Sequence, residues 1–255
     1  MQARDHVTPL VLTLDEEENL ARTLEALGWA RRVVVLDSGS TDGTERIARG
    51  FSNVAWFIRP FDDFKSQTLH GVRATGIETD YVLALDADME VPAAFVSELE
   101  SRFLGHGHAG ARVAFDYAFD GRRLLGSVYP SQVRLFRPDA LRLELRGHGH
   151  HFEVEGSVLD LEARLVHDDR KSLERWLSAQ LGYSRHELAR LDRGGASRLR
   201  DLLRRAGVMP LAAFAASYVR AGGPLAGRAA LRYAYERATY EALLALRLLR
   251  ARDRS

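Results

Sequence analysis

Val34-Val35-Leu36-Asp37-Ser38-Gly39-Ser40-Thr41-Asp42-Gly43-Thr44 decides how this chain is organised. Its approach, Arg32–Leu36, is apolar and β-branched, the composition of a buried strand. Asp37 to Gly43 is a cluster of turn and cap residues, after which Thr44–Arg49 opens a helix. The same unit recurs on either side. Upstream, Val7–Leu14 reads as a strand and Asp15-Glu16-Glu17-Glu18-Asn19 as a turn. Leu20, Leu24 and Leu27 then fall at helical spacing before Gly28, and the acids are expected in that helix's first turn, where its dipole favours them. Downstream, Val54–Ile58 is a third strand, and the polar stretch Arg59–Gly71 leads into a helix ending near Gly76. Tyr81–Leu85 is a fourth strand that runs straight into Asp86-Ala87-Asp88-Met89-Glu90. Strands and helices alternating at this length predict an α/β fold around a mostly parallel, doubly wound sheet. Ligands of such sheets sit beyond the carboxyl ends of the strands. Polar or acidic clusters stand at three of those ends, after Leu14, Leu36 and Leu85.

Beyond Pro92 the pattern is mixed, with strands expected at Val113–Phe119, Val133–Phe136, Phe152–Val154 and Ala163–Val166. Helices are expected at Leu173–Arg190 and Leu225–Arg250, with an apolar run at Val208–Val219 between the breaks Gly194-Gly195 and Gly222-Gly223-Pro224. The 255 residues are 46% hydrophobic and 28% charged, a balance that excludes disorder and collagen-like structure. There is no cysteine, hence no disulfide framework, thiolate zinc site or cysteine nucleophile. The net charge of +1 conceals an asymmetry: residues 1–184 carry 21 Lys and Arg against 29 Asp and Glu, whereas residues 185–255 carry 15 Arg against 6 acids. A basic tail on an acidic body points to an anionic partner. Nothing near Met1–His6 resembles a signal peptide, and Val208–Val219 is shorter than the roughly 20 residues a membrane span needs, so a cytoplasmic protein is expected.

Two features carry chemistry. Asp86 and Asp88, one residue apart just past an apolar strand, can share a hard divalent cation, Mn2+ or Mg2+, which commonly bridges protein carboxylates to a diphosphate. Acids in loops after strands also serve as caps, and that reading stands beside the first. Asp37, at the end of the second strand, is placed to accept a hydrogen bond from a base or ribose, with Asp42 as the structural cap.

At this point three segments resemble motifs of glycosyltransferase family 2, in the family's order and near its spacing across residues 7–92. They are Thr13-Leu14-Asp15-Glu16-Glu17-Glu18-Asn19-Leu20, Val34–Thr44, and Asp80-Tyr81-Val82-Leu83-Ala84-Leu85-Asp86-Ala87-Asp88. The resemblance implies a Rossmann-like GT-A fold, a nucleotide-sugar donor, a divalent metal and inversion at the sugar carbon. It assigns Thr13, Glu16, Asp37 and Asp86 to the donor, and Asp86 and Asp88 to the diphosphate and metal. More narrowly, the chain is similar to the lipopolysaccharide-core glucosyltransferase group, where Gln67 matches a glutamine that precedes a basic residue and an asparagine. Thr68 and Leu69 depart from that pattern, leaving Lys65 or Arg73 to take over a phosphate contact. His167-Asp168-Asp169 matches a segment after the group's last strand, so His167 is a third metal candidate, with an ordinary helix cap as the competing reading. An inverting transfer needs a general base. Where the group has His-Glu, this chain has Gly147-His148-Gly149-His150-His151-Phe152-Glu153, leaving Glu153 and His150 as alternatives.

Residues 1–170 are therefore expected to form the catalytic domain, with a nucleotide-binding half 1–92 and an acceptor half 93–170. Residues 171–255 are expected to form a basic, amphipathic helical extension. Arg198, Arg200, Arg204 and Arg205 beside the apolar run, and Arg228, Arg232, Arg247 and Arg250 around Leu231, Leu243, Leu244 and Leu248, are the pattern of an interfacial helix on an anionic membrane. Residues 198–250 would then hold the protein on the inner face of the cytoplasmic membrane. The competing reading packs these helices on the catalytic domain or on a second subunit, giving a homodimer. Nucleic acid is not expected, since no aromatic-interleaved sheet or reading helix accompanies the basic residues. The leading expectation is an inverting transferase moving a hexose from a nucleoside-diphosphate sugar, UDP above others, to a hydroxyl of a lipid-linked or lipopolysaccharide-type glycan. A donor-binding, non-catalytic membrane protein is the alternative, and an Asp-x-Asp phosphatase ranks lower because the motif lies mid-chain with Glu90 two residues after Asp88.

Overall fold

A computed structural model describes residues 1–146, 149–192 and 198–252, with the side chains of 143–151, 186, 189–201 and 252 outside the described set. The strands of the first half are β1 (Val7–Thr13), β2 (Val33–Asp37), β3 (Val54–Ile58), β4 (Tyr81–Asp86), β5 (Met89–Glu90) and β6 (Gly110–Val113). Then come β7 (Phe115–Phe119), β8 (Arg122–Arg123), β9 (Gln132–Phe136), β10 (Leu141–Arg146), β11 (Gly149–Val154), β12 (Val158–Asp160) and β13 (Leu165–His167). The helices are α1 (Ala3–His6), α2 (Leu20–Glu25), α3 (Thr44–Ala48), α4 (Phe64–Ala74), α5 (Ala93–Glu98), α6 (Leu173–Asp192), α7 (Arg198–Arg205), α8 (Met209–Arg220) and α9 (Gly227–Arg252).

The chain forms two compact units. The first takes in residues 1–116, 129–146 and 150–170; the second draws on Tyr117–Val128 and on the chain from Lys171. In the first, seven strands lie in the order β12-β6-β9-β4-β1-β2-β3. The four amino-terminal strands are parallel, as are β6 and β12, but β9 runs antiparallel to both β4 and β6, so the sheet is mixed. The single strand expected over Val113–Phe119 is two, because β6 ends in this sheet at Val113.

Alternation along the strands builds a core on each face. Val33 and Val35 of β2, with Leu83 and Leu85 of β4, pack with Leu20 and Leu24 of α2, Leu27 of the turn after it and Phe95 of α5 on one face. Val34, Leu36, Val82 and Ala84 face the other way, onto Leu69 and Val72 of α4 and onto Leu141, Phe152 and Val154 of the β10–β11 hairpin. Each fully buried Leu, Val or Phe contributes on the order of 1.5–3 kcal/mol. Helix α4 lies so close to β1 that a Cβ at Gly71 would meet the Leu10 methyls at 2.8 Å.

The acids Asp15 to Glu18 do not sit in the first turn of α2. They form the turn before it and bond across to the loop after β2: Thr41 N donates to Asp15 Oδ1 (2.7 Å), and Gly43 N donates to Glu17 Oε2 (2.9 Å). Backbone N–H groups of a neighbouring loop outcompete the helix dipole for these carboxylates, because a charge-assisted hydrogen bond is worth more than a dipole contact.

In the second unit, α6, α7 and α9 are pinned by a buried ion triad. Arg204, only 2% exposed, donates from Nε and Nη2 to Glu241 (2.8 and 2.9 Å) and from Nη1 to Glu187 (2.8 Å). Burial opposes its charge, and the two glutamates more than offset it, so its pKa is raised. Three arginines expected at a membrane surface are thus engaged inside the unit. Arg204 is in the triad, Arg232 bonds Asp120 and Glu236, and Arg247 donates to Ser184 Oγ (2.8 Å). Leu244 and Leu248 are likewise buried, packing with Leu188. Each of these three guanidiniums thus has hydrogen-bond acceptors within its own unit. The side chains of Arg198 and Arg200 lie outside the described residues. Another apolar set is exposed: Leu202, Val208, Leu211, Val219 and Leu225. Exposed Arg205, Arg220 and Arg228 accompany them, and no Asp or Glu occurs in residues 202–235. Among the described residues, no helix is long and apolar enough to cross a membrane.

Candidate active site

Parallel register brings the three polar strand ends together. Thr13 lies beside Asp37, and Leu12 lies between Leu36 and Asp86. Asp37, buried, accepts from Thr13 Oγ1 (2.8 Å), Gly39 N (2.8 Å), Ser40 N (2.7 Å) and Ser40 Oγ. Its carboxylate thereby shapes the loop that leaves β2. Asp42 accepts from Thr44 N (2.9 Å) and from Glu17 N (3.2 Å), tying the first turn of α3 to the loop after β1. Glu16 accepts from Asn19 Nδ2 (3.0 Å), and its own N–H donates to Thr44 Oγ1 (2.7 Å).

Asn19 is fully buried and joins this loop to the segment after β13. Its Nδ2 also donates to Asp169 (2.9 Å), and its Oδ1 accepts from Arg22 Nη2 (2.9 Å) and Arg170 N (2.9 Å). Arg22 continues the network to Glu90 (2.7 Å) and to the carbonyl of Asp168 (2.9 Å). Sequence reading named none of Asn19, Arg22 and Asp168 as organisers, although Asn19 lies in the first motif and Asp168 follows His167.

The acidic end of β4 is built from both halves of this unit. β5 pairs antiparallel with β13, His167 opposite Met89, and Asp168 N donates to Asp88 O (3.0 Å). This pairing sets His167 Nε2 at 3.6 Å from Asp88 Oδ2, both side chains largely buried. Asp86 accepts from Arg134 Nη2 (3.2 Å). Arg134, on β9, is 2% exposed and lies between the rings of Phe115 and Phe152, 5.6 and 5.8 Å from their centroids. Burial disfavours its charge, but Asp86 and Tyr129 outweigh burial and raise its pKa. Tyr129 is itself raised, first by burial and then by Asp86 and Asp88. Arg134 was missed from sequence, yet an arginine inside the apolar run Val133–Phe136 is the signal that marks it.

A carboxylate oxygen and an imidazole nitrogen 3.6 Å apart suit one shared cation, and O and N donors are those that Mn2+ accepts. Among the described residues no three His, Asp or Glu side chains converge, so further ligands of such an ion would come from the diphosphate and water. The Asp88–His167 pair thus fits a divalent metal.

The remaining candidates are elsewhere. Gln67 is buried, its Nε2 donating to Ser38 Oγ (3.1 Å) and Arg59 O (3.1 Å) and its Oε1 accepting from Arg59 Nη1 (2.6 Å). Its amide braces the exits of β2 and β3. Lys65 and Glu153 line a groove of about 580 Å3 together with Leu69, Arg73, Leu141, Arg142, Val154 and Glu155. None of Asp86, Asp88 and His167 lines it. His150 belongs to β11, but its side chain lies outside the described residues, as do Gly147 and His148.

Residues 10–159 match the profile of glycosyl transferase family 2. The chain belongs to this family. A curated relative in the family's field, the lipopolysaccharide core biosynthesis glycosyltransferase LpsC of Rhizobium meliloti (strain 1021), is 34% identical over 53 residues, 21% of this chain. The match spans only 20% of that relative's length. Among solved structures, S. aureus TarS 1–349 in complex with UDP-GlcNAc superposes with a TM-score of 0.51 at 12% identity, covering 96% of this chain and 92% of that one. Glucosyl-3-phosphoglycerate synthase from Mycobacterium tuberculosis, in complex with Mn2+, UDP and phosphoglyceric acid, gives a TM-score of 0.46 at 16% identity over 76% of this chain and 80% of its own. The family 2 chain therefore has the GT-A-like α/β fold, with a mixed central sheet.

Proposed function

We propose that this chain is an inverting, metal-assisted transferase that moves a hexose from a UDP-sugar to a hydroxyl of a lipid-linked or lipopolysaccharide-type glycan. The observation that carries the reading is the approach of His167 to Asp88 beside Asp86, at the aligned ends of β1, β2 and β4. Thr13, Asp37 and Glu16 form the nucleoside end of the donor site, Asp37 holding its loop in shape while Glu16 borders it. Asp88 and His167 would hold Mn2+ or Mg2+, with Asp86 adjacent and held by Arg134. When bound, the cation supplies positive charge to the departing diphosphate. The acceptor oxygen attacks the sugar's anomeric carbon from the face opposite the diphosphate. As that bond forms, the bond from this carbon to the β-phosphate oxygen breaks and its electron pair leaves with UDP. The hydroxyl proton passes to a base, Glu153 or His150.

The acid-free stretch 202–235, with its exposed leucines, valines and arginines, supports residence on an anionic membrane at the inner face of the cytoplasmic membrane, where a lipid-linked acceptor would be presented.

The test is thermal stability with UDP-, GDP- and ADP-sugars, with and without Mn2+, followed by detection of released UDP. A metal-dependent shift with UDP-sugars and slow donor hydrolysis, both lost in Asp88→Ala, is expected. Binding without hydrolysis or transfer would leave a donor-binding protein, and no binding of any nucleotide would overturn the donor site.

A further inference from the structure

Asp88 is fastened on both sides by two consecutive residues of α2. Before it, Thr23 Oγ1 donates to the buried carbonyl of Ala87 (2.6 Å). Beyond it, Arg22 Nη1 donates to Glu90 Oε1 (2.7 Å). The same guanidinium reaches the chain that carries His167: Nη2 donates to the carbonyl of Asp168 (2.9 Å), and Nη1 lies 3.4 Å from Asp168 Oδ2. These contacts fall on a short ladder. β5 is a two-residue edge strand, and it meets β13 through two residue pairs, Glu90 with Val166 and Met89 with His167. So few pairs hold a strand only marginally by themselves. Arg22 spans the ladder, bonding the residue after Met89 on one side and the residue after His167 on the other. Helix α2 gives it a fixed support, because Leu20 and Leu24 are buried in the same core as Ala87 and Met89. Asp88, between those two apolar residues, is the one that meets His167.

We infer that Arg22 and Thr23 are positioning residues of the cation site: they hold the turn after β4 and the end of β13 at the separation that lets Asp88 and His167 take one divalent ion. The assignment rests on the metal-assisted reading and deepens it, by naming residues that act on the ion only through its ligands. Each has its own chemistry. The guanidinium is a planar fork that fixes two acceptors in one geometry, which an ammonium does not. The Thr23 hydroxyl satisfies a buried carbonyl between the two acids, where losing a hydrogen bond is expensive. Charge by itself predicts the opposite of positioning. Arg22 is a cation bonded to the neighbours of both ligands, so by Coulomb's law its removal would strengthen the binding of another cation there. Positioning predicts weaker binding, because an oxygen and a nitrogen that drift apart no longer meet one ion. The sign of the effect separates the two.

The experiment titrates Mn2+ into the full chain in the presence of UDP. Free Mn2+ is read by its paramagnetic signal, and the His167 imidazole by the nitrogen coupling of bound Mn2+ in pulsed electron paramagnetic resonance. The variants are Arg22→Gln, Arg22→Lys, Thr23→Val and Thr23→Ser. Thermal unfolding without ligand, and binding of uridine, which has no phosphate to touch a metal, check the fold of each. Mn2+ affinity is expected to fall about tenfold or more in Arg22→Gln and Thr23→Val, with the nitrogen coupling weakened, while uridine affinity stays within about threefold. Thr23→Ser keeps the hydroxyl and should match the parent; Arg22→Lys keeps the charge but not the fork and should fall with Arg22→Gln. Unchanged or tighter Mn2+ binding in Arg22→Gln, or parental binding in Arg22→Lys, overturns the positioning role. So does a parallel loss of uridine and Mn2+ affinity, which marks a general loss of the loop. Arg22 is partly exposed, so its variants decide the matter even where Thr23→Val does not fold. A parent chain that binds no Mn2+, or binds it without nitrogen coupling, instead strikes the metal site itself, and the positioning role falls with it.

Discussion

Arg204→Ala tests whether the helical unit is held as the structure describes. The guanidinium is 2% exposed and makes three charge-assisted bonds of 2.8–2.9 Å to Glu187 and Glu241, which are 5% and 0% exposed. Truncation leaves both carboxylates buried without their cation, and breaking a buried pair in this way costs about 3–5 kcal/mol. That is a large part of the roughly 5–15 kcal/mol that keeps a domain folded. The loss should depend on pH in a definite direction. A buried carboxylate stripped of its cation has its folded-state pKa raised above the unfolded value. The variant is therefore most impaired where the group must be charged, at neutral pH and above, and recovers as acid protonates it. The triple variant Arg204→Met/Glu187→Leu/Glu241→Leu, which removes all three charges, should return to within about 1 kcal/mol of the parent or exceed it. Urea unfolding followed by far-UV circular dichroism, near neutral pH and near pH ~5, measures all of this. A loss below about 1 kcal/mol for Arg204→Ala at neutral pH, or a deficit that grows on acidification, would refute the buried triad.

Asp88→Asn and His167→Ala should each weaken Mn2+ binding, read by the paramagnetic signal of free Mn2+, by tenfold or more in the presence of UDP; an unchanged signal in His167→Ala would remove it from the metal site. The triple variant Arg205→Gln/Arg220→Gln/Arg228→Gln should unfold within about 0.5 kcal/mol of the parent, because these side chains are exposed. It should also lose about 1 kcal/mol per arginine in binding to anionic vesicles by co-sedimentation. A concentration-dependent dimer in place of vesicle binding would favour a second subunit as the cover. Asn19→Ala breaks four hydrogen bonds at a fully buried site and should destabilise the first unit by about 2–3 kcal/mol in the same urea assay. In Gly71→Ala the new methyl meets the Leu10 methyls at 2.8 Å, so the Leu10 side chain or α4 must shift and the unit should lose about 1–3 kcal/mol in the same assay.

The amino-terminal strands and the residues at their ends were legible because each is a local pattern. β-branched runs of about five residues bounded by turn residues favour strands over helices, and the turn chemistry of Asp37–Gly43 leaves the chain little choice about where β2 stops. The strands of the second half were less so. β10 and β12 were not foreseen, although the alternation of apolar and charged residues over Leu141–Arg146 is itself the signature of a half-buried strand. The arginine-rich tail misled for a different reason. A helical period shows which residues share a face, but Arg204 and Arg205 are neighbours with opposite fates, one in the triad and one exposed.

Sequence alone determined the family, the α/β class, the parallel β1–β4 core and the polar ends that line up beyond it, because backbone hydrogen bonding and apolar burial act on contiguous residues. Only the tertiary structure decided the rest. The antiparallel pairing of β5 with β13 carries His167 to within 3.6 Å of Asp88, across 79 positions of chain. The placing of β9 next to β4 puts Arg134 under Asp86, and the packing of α4 against the hairpin sets Lys65 and Arg73 opposite Glu153. These are contacts between segments with no shared periodicity, so nothing in either segment alone encodes the distance. It is set by which strand edges and helix faces remain to be covered once the local elements have formed.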